Sequence, residues 1–199
     1  MKTYIYDSNG ISIRASAEEP LYPQVQILFQ AIETTPHEKL KNGFSFEVGF
    51  SIFYLIEKSG DYCIVAPDYK KDPFSDTTED LTIALWMQLE QTHLLRLYNL
   101  QWEDVRFDDK IIVAKNALHD GVISMQRFSD CSKGDSGWCV KSVDNCENEE
   151  YEAFFAYQLL EFRPALIKAL ALPYEYLVVF EGDRISAILN ELDIDIMQA

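Results

Sequence analysis

The sequence is poor in several kinds of residue, and each shortage excludes a class of protein. Only 17 Lys and Arg stand against 33 Asp and Glu, so the formal charge of the 199-residue chain is −16. Nucleic-acid binding requires an excess of positive charge, which this composition does not supply. No apolar run approaches the roughly 20 residues of a transmembrane helix. Lys2 and Asp7 interrupt the start before the apolar region of an export signal could form. We therefore expect no nucleic acid and no membrane as partner, and a basic protein instead.

Cysteine and glycine are also scarce. Four cysteines (Cys63, Cys131, Cys139 and Cys146) are too few for a disulfide scaffold in a chain of this size, which favours free thiols in a reducing cytoplasm. The possible zinc ligands His119, Cys131, Cys139 and Cys146 are spaced by 12, 8 and 7 residues, without the close pair typical of structural zinc. The eight glycines form no phosphate-binding loop. We therefore expect no metal and no cofactor.

What the sequence does contain is a core-forming supply of apolar residues, 48% of the chain, arranged in clear periods. Every even position from Phe44 to Ile56 is apolar, which predicts one long strand with one buried face. The turn Lys58–Asp61 then predicts a hairpin that returns through residues 62–66. Apolar residues at 21, 25, 28, 29 and 32 predict an amphipathic helix before the strand. Asp76 with Glu79 resembles a capping box and predicts a buried helix that continues to about Tyr98.

The second half predicts a similar alternation. Short strands are expected at 111–114, at 122–128 and from Trp138 onward. Asn148, followed by Glu149 and Glu150, predicts a helix start, and Pro164 predicts a second helix over 165–172. Residues 176–180 and 185–189 flank a tight turn and predict a closing hairpin.

These elements predict an α+β fold with mainly antiparallel sheets and flanking helices, in two similar halves that pack closely. The charged segment 102–110 is the plausible boundary. We accordingly expect an N-terminal part, 1–105, and a C-terminal part, 106–199, or one continuous domain. The oligomeric state is left open, because a long strand at a sheet edge can pair across a dimer.

Two acidic stretches, residues 68–80 and 144–152, are the candidate binding regions. Exposed aromatic residues in them are expected to anchor a basic partner, and the acids to steer it. The candidate contact residues are Asp68, Tyr69, Asp72, Phe74, Asp76, Glu79, Asp80, Asp144 and Glu147.

A short string, Gly134-Asp135-Ser136-Gly137, looks like the surroundings of the nucleophile in chymotrypsin-like proteases. Trp138 replaces the second glycine of that pattern, and no histidine stands in a supporting motif, so we expect no catalytic residues here. The residues Asp135, Ser136, Gly137 and Trp138 are instead interpreted as structural. Gly137 is expected to form a turn, Trp138 to pack and Asp135 to bond the backbone.

The string also resembles the immunity protein 33 family of bacterial polymorphic-toxin loci. The resemblance rests on the order of features around it: a strand pair before it, an acidic stretch after it, then Arg163-Pro164 and the segment Leu172–Asp183, over residues 111–189. It implies a cytoplasmic binding protein that neutralises a cognate toxin domain. A charge of −16 agrees with a basic toxin.

Two other functions remain open from the residues themselves. A hydrolase could use clustered carboxylates or a Cys/His pair, and would need titratable groups converging in a pocket with displaced pKa values. A regulatory interaction module without a toxin would use the same acidic surfaces.

Overall fold

A computed structural model of the chain describes residues 1–8, 10–143 and 150–198. It contains two mixed six-stranded sheets and a few helices, which confirms the α+β class. Within the described ranges, none of the helices has the length and apolar character needed to cross a membrane.

The contacts divide the chain into two compact units, Met1–Leu89 (unit 1) and Glu90–Ala199 (unit 2). The division falls inside a helix and sixteen residues before the predicted boundary at 105/106. The segment predicted as a boundary belongs to unit 2, because Val105 and Phe107 are buried there and the Glu103 N–H donates to the Ala171 carbonyl at 3.1 Å. Its charged residues thus lie between buried positions of unit 2.

Unit 1 is a sheet with helices against one face. Its elements are β1 (Lys2–Ser8), β2 (Ile11–Ala17), α1 (Tyr22–Glu33), β3 (Ser45–Val48), β4 (Ser51–Lys58), β5 (Asp61–Pro67), β6 (Thr77–Thr78) and the first half of α2 (Thr82–Leu97). The strand order is β1-β2-β5-β4-β3, and β6 pairs with the end of β5. Among the paired strands described in unit 1, only β2 and β5 run parallel. The β1–β2 hairpin is a feature that the sequence did not predict.

The core of unit 1 is apolar and confirms the amphipathic helix. Val25, Leu28 and Ile32 of α1 are buried in one cluster with Phe53 of β4 and Leu85 of α2. The stripe at these helix positions is what holds α1 on the sheet.

The prediction of one long strand over 44–56 is wrong, because this segment forms the hairpin of β3 and β4. Gly49 has φ +58°, in the left-handed region that glycine adopts without strain, and Val48 pairs with Ser51 across a two-residue turn. The register couples Phe46 with Phe53, so the buried positions change from even to odd across the turn. β4 carries apolar residues on both of its faces, so the sequence pattern does not show this change.

The predicted start of the second helix is also wrong. The helix begins at Thr82 rather than after Asp76, because the Asp80 carboxylate accepts a hydrogen bond from the Thr82 N–H at 3.1 Å. The residues between form β6 and its connection, since Thr78 pairs with Ala66 of β5.

Unit 2 contains the second sheet. Its elements are the second half of α2, β7 (Lys110–Ala114), β8 (Val122–Arg127), β9 (Asp135–Ser142), β10 (Tyr151–Phe155), α3 (Leu159–Phe162), β11 (Leu177–Glu181) and β12 (Arg184–Leu189). The strand order is β10-β7-β9-β8-β11-β12, with β7 and β9 parallel. The closing hairpin β11–β12 is confirmed.

The helix predicted after Asn148 is wrong where the structure describes it. Residues 151–155 form β10, paired antiparallel with β7, and only the four residues of α3 are α-helical before Pro164. Asn148 and Glu149 lie outside the described residues. The segment predicted as a second helix over 165–172 is a 3-10 helix, Pro164–Ala169, followed by turns. In a sequence, acidic residues that precede a short strand thus look like the first turn of a helix.

Candidate partner-binding surfaces and the framework behind them

The acidic loop of unit 1, residues 68–80, is a closed excursion from the sheet. It leaves β5 at Pro67 and returns as β6, and the Asp68 N–H donates to the Asp76 carbonyl at 2.9 Å across its neck. The loop begins at the end of β5, and its return strand carries the last candidates back along β5, where Glu79 reaches Cys63.

Several of the candidate acids shape the loop. The Asp72 carboxylate accepts from the Phe74 N–H at 3.0 Å and from the Ser75 hydroxyl at 2.9 Å. Asp68 accepts from the Lys70 N–H at 3.1 Å and pairs with the Lys71 ammonium at 3.3 Å. These are short-range turns of the kind Asp favours, so both carboxylates hold the loop as well as charging its surface.

Glu79 has a further role at the sheet. Its carboxylate pairs with the Lys58 ammonium and accepts the Cys63 thiol at 3.2 Å, which together keep the pKa of Glu79 below its ordinary value. Burial first, and then the Glu79 carboxylate, raise the pKa of the Cys63 thiol to about 11. Cys63 is therefore a protonated, buried thiol at neutral pH rather than a nucleophile.

The two aromatic candidates of the loop behave differently. The Tyr69 hydroxyl is 2.8 Å from the Ser51 hydroxyl and its ring lies 6.5 Å from that of Phe50, so Tyr69 is half-buried in unit 1. Phe74 is 54% exposed and projects beside the buried Pro73. Phe74 is therefore the more exposed of the two aromatic side chains of the loop.

The second acidic stretch is covered only in part. Asp144 and Glu147 lie outside the described residues. Glu150, at the edge of that stretch, pairs with Lys115 at 2.8 Å, and this lowers the pKa of the Glu150 carboxyl.

The Gly-Asp-Ser-Gly-Trp string leads into β9 of unit 2, and its polar groups are bound to the backbone. The Ser136 hydroxyl is buried, donates to the Lys110 carbonyl at 2.7 Å and accepts from the Trp138 N–H at 3.2 Å. A hydroxyl whose proton is held by a carbonyl is not activated for attack. The side-chain bond to the backbone that was expected of Asp135 is made by Ser136, whereas Asp135 contributes its backbone N–H to the Ser132 carbonyl at 3.0 Å.

Gly137 is required by its surroundings as well as by its backbone. Its φ is +79°, and an added Cβ would lie 2.3 Å from the Phe128 carbonyl oxygen. That closeness comes from β8 and β9, where the Phe128 N–H donates to the Gly137 carbonyl at 2.9 Å. The string therefore lets two strands approach where no other residue fits.

Behind this string lies a feature that the sequence analysis missed, a fully buried arginine. Arg127 is 0% exposed and donates to five backbone carbonyl oxygens within unit 2, at 2.6 to 3.4 Å. The acceptors belong to Glu103, Asp104, Ser136, Leu170 and Leu172. The guanidinium also lies 4.3 Å from the centre of the Tyr174 ring and 5.8 Å from that of Trp138.

We call this arrangement the Arg127 clamp. Burial lowers the pKa of Arg127, but an arginine stays charged in proteins, so the carbonyl dipoles and ring faces are what offset its lost hydration. Trp138 completes the clamp, because its indole N–H donates to the Leu170 carbonyl at 2.9 Å. The sequence contains one signal for this arrangement, which is the alternation along β8. Ile123, Met125 and Arg127 stand at every second position and share the buried face of the strand.

A smaller version of the same device involves Arg163. Its guanidinium is buried and donates to the Asp120 carbonyl at 2.7 Å, to the Leu118 carbonyl at 3.4 Å and to the Gly182 carbonyl. It thus ties the segment before β8 to the turn between β11 and β12.

On the opposite face of the second sheet lies a cleft of about 390 Å³. Ile112 and Phe128 line it, together with Cys131, Cys139 and Asp135. In the part of the chain that the structure describes, no group of three or more His, Cys, Asp or Glu residues could hold a metal ion.

A comparison with protein-family models matches residues 90–191 to the Imm33-like domain. The chain belongs to the Imm33-like domain family. The match begins where unit 2 begins and includes the resemblance that the sequence analysis found over 111–189. Neither the curated proteins nor the solved structures give a match to the chain.

Within the Imm33-like domain lie the Gly-Asp-Ser-Gly-Trp string, the Arg127 clamp and the cleft, whereas the acidic loop 68–80 precedes it. The displaced carboxyl groups among the described residues are all shifted downward, and each has a Lys or Ser donor: Glu19, Glu79, Glu150 and Glu175. Carboxyl groups of this kind carry charge at the surface and are not poised as general acids.

Proposed function

We propose that this Imm33-like protein neutralises a cognate bacterial toxin by binding to it directly in the cytoplasm. The observation that carries the proposal is the match of residues 90–191 to the Imm33-like domain, an immunity-protein family. The charge of −16 supports a cationic partner, such as a nuclease. The free thiols of Cys63 and Cys131 are consistent with a reducing compartment.

The proposed mode of action is coverage rather than chemistry. In unit 2, the hydroxyl of Ser136 is committed to a backbone carbonyl and Arg127 to five more, so these buried polar groups serve the fold. A standard interface of roughly 1,600 Å² in total suffices to cover the active site of a small toxin domain.

The acidic loop is proposed as one contact region. The candidate residues Asp68, Asp72, Asp76, Glu79 and Asp80 give its surface a negative field, and Phe74 supplies an exposed anchor. Tyr69 is proposed to support the loop from beneath, through its hydroxyl contact with Ser51. Asp144 and Glu147 remain proposed contacts on sequence grounds alone.

The decisive experiment is co-expression with the toxin domain encoded beside this gene. We expect growth rescue by the wild-type protein, a stoichiometric complex, and an association rate that falls from low to high salt while dissociation changes little. Failure to rescue from any neighbouring toxin candidate would contradict the proposal. Turnover of a substrate by the purified protein alone would contradict it equally.

A substitution in the loop tests its part separately. Phe74→Ala is expected to raise Kd roughly 30-fold, as for loss of an anchor worth about 2 kcal/mol. Leu97→Ala is the matched control, since it removes an exposed apolar side chain elsewhere. Calorimetric titration gives both values, and equal Kd for the two variants would remove the loop from the interface.

A further inference from the structure

The turn formed by residues 190–198 of unit 2, after β12, holds large aliphatic side chains in solvent. Leu192 is 69% exposed, Ile194 51% and Met197 38%. A cluster of exposed apolar side chains on a folded surface is typical of an interaction site. None of the functional features described above uses these three residues.

One end of the turn is fixed by Asn190. Its side-chain carbonyl accepts from the N–H groups of Leu192 and Ile194, both at 3.0 Å. The Asn190 N–H donates to the Ile194 carbonyl at 3.0 Å, and Asp193 adopts φ +58° between them. The two most exposed aliphatic residues are therefore presented by a closed ring of hydrogen bonds.

The other end is fixed by Asp195. Its carboxylate accepts from the Met197 N–H at 3.0 Å and from the Ile188 N–H of β12 at 3.4 Å. The Ile196 N–H donates to the Ile188 carbonyl at 2.9 Å, which pins the turn to the edge of the sheet.

This geometry has an energetic consequence for binding. A surface loop that is already held in one conformation loses little conformational entropy when a partner binds it. The exposed parts of Leu192 and Ile194 lose water only in a complex, so burying them there favours association. A preformed apolar tip is what an inhibitory protein needs to fill a pocket.

The charges beside the tip indicate the occupant. Glu191 and Asp193 are exposed and flank Leu192 and Ile194 in the sequence. Like charge near this rim disfavours an acidic partner, and a second copy of this −16 chain is acidic. The complementary surface is an apolar pocket rimmed by Lys or Arg.

We propose that the 190–198 turn inserts Leu192 and Ile194 into an apolar, cationic-rimmed pocket of the toxin domain. The inference rests on the proposed function and adds to it a second contact region, distinct from the acidic loop. The family match ends at Glu191, so both aliphatic residues lie beyond it, in keeping with contacts that differ from one partner to the next.

The test compares two sets of exposed aliphatic side chains. The double variant Leu192→Ala/Ile194→Ala is expected to raise Kd for the co-expressed toxin domain roughly 30-fold or more, mainly through faster dissociation. Ile5→Ala, 60% exposed in unit 1, is the control and is expected to leave Kd unchanged. Thermal unfolding of both variants is expected to match wild type, because the side chains are exposed.

Two further variants separate shape from charge. Asn190→Ala keeps the apolar tip but removes the acceptor that orders it, and is expected to raise Kd about 5-fold through lost preorganisation. Asp193→Asn keeps a residue that tolerates φ above zero, and is expected to slow association at low salt only.

The outcomes distinguish the inference from the proposed function. If wild type binds and rescues while the double variant does so equally well, the turn is not a contact and the inference fails alone. If wild type binds no neighbouring toxin, both fail. If light scattering shows a wild-type dimer that the double variant abolishes, the turn is a self-association surface and the inference is overturned.

Discussion

The two units of this chain each bury one face of a mixed sheet, but they cover it by different means. In unit 1 the cover is α1 and the first half of α2, whose backbone groups are satisfied within the helices, and the core is a cluster of apolar side chains. In unit 2 the cover includes a 3-10 helix, Pro164–Ala169, and irregular segments around Glu103 and Leu172.

The difference explains why a charged side chain lies at the centre of one unit. Irregular backbone leaves carbonyl oxygens without partners, and a buried carbonyl needs a donor. Arg127 donates to four carbonyls of irregular backbone, those of Glu103, Asp104, Leu170 and Leu172, and also to that of Ser136 in β9. Arg163 donates to three more. Where the segments packed on a sheet are helical, apolar side chains alone can fill the core. Where they are irregular, buried donors such as arginine are needed as well.

The sharpest way to break this comparison is to remove the clamp. Arg127→Met keeps an apolar stem of similar length but removes the donor shared by five buried or part-buried carbonyls, of which only that of Leu170 keeps the Trp138 indole N–H. We therefore expect a loss of about 3–5 kcal/mol in the free energy of unfolding. Denaturant unfolding measures the loss, and hydrogen exchange is expected to locate it at β8 and β9. Arg127→Lys is expected to rescue little, because three donors on one nitrogen cannot reach the same acceptors.

Two controls frame that result. Arg106→Met removes a surface arginine paired with Asp108 and is expected to cost at most about 1 kcal/mol. Leu85→Ala creates a cavity in the core of unit 1, at about 2–5 kcal/mol, with protection lost at β2 and β5 instead. If Arg127→Met were as mild as Arg106→Met, the argument from irregular backbone would be wrong.

A second test compares two glycines at the start of β9, Gly137 within the strand and Gly134 just before it. Gly137→Ala places a Cβ against the Phe128 carbonyl, and we expect a loss of about 2–4 kcal/mol from overlap and backbone strain together. Gly134→Ala has the same positive φ but open space, so only the strain of about 1–2 kcal/mol remains. Thermal unfolding of the pair gives the difference, and equal losses would show that the strands separate freely at Gly137.

The smallest expected effect concerns pH and unit 1. The pKa of Cys63 is raised to about 11 in the folded protein, above its value in the unfolded chain, so the folded state holds the thiol proton more tightly. This contribution is complete below the unfolded pKa and is lost as pH rises toward the folded one. We expect the free energy of unfolding to fall by about 2 kcal/mol between about pH 9 and 11.

Cys63→Ala is the reference that isolates this effect, because other groups titrate equally in both proteins. Denaturant titrations of wild type and variant across that range measure it. Parallel pH profiles would mean that the thiol is not desolvated in the folded state.

The sequence predicted elements best where period and turn chemistry agreed. The β11–β12 hairpin and the α1 stripe follow from local pattern, and the structure confirms both. The β3–β4 turn was missed because a two-residue hairpin at Gly49 continues the alternation of apolar residues while it reverses the buried face. β10 was missed because its pairing with β7 lies far along the chain.

The candidate sites show the same limit. Local turns bring the acids of the 68–80 loop together as expected, but only the fold reveals that Tyr69 is half-buried while Phe74 is exposed. The Arg127 clamp depends on carbonyls from residues 103–104 and 170–172, and no local pattern states where those segments meet. The exposed tip at Leu192 and Ile194 likewise depends on hydrogen bonds back to Ile188.

The partners of Arg127 carry one more implication. Its acceptors are amide carbonyls, which gain no proton anywhere in the ordinary acid range, whereas a carboxylate partner would be neutralised there. Acid can therefore neutralise the surface carboxylates of the Imm33-like domain while the hydrogen bonds of Arg127 to backbone carbonyls stay intact. A complex held by surface charge would thus weaken only near and below about pH 4, where carboxylates are neutralised.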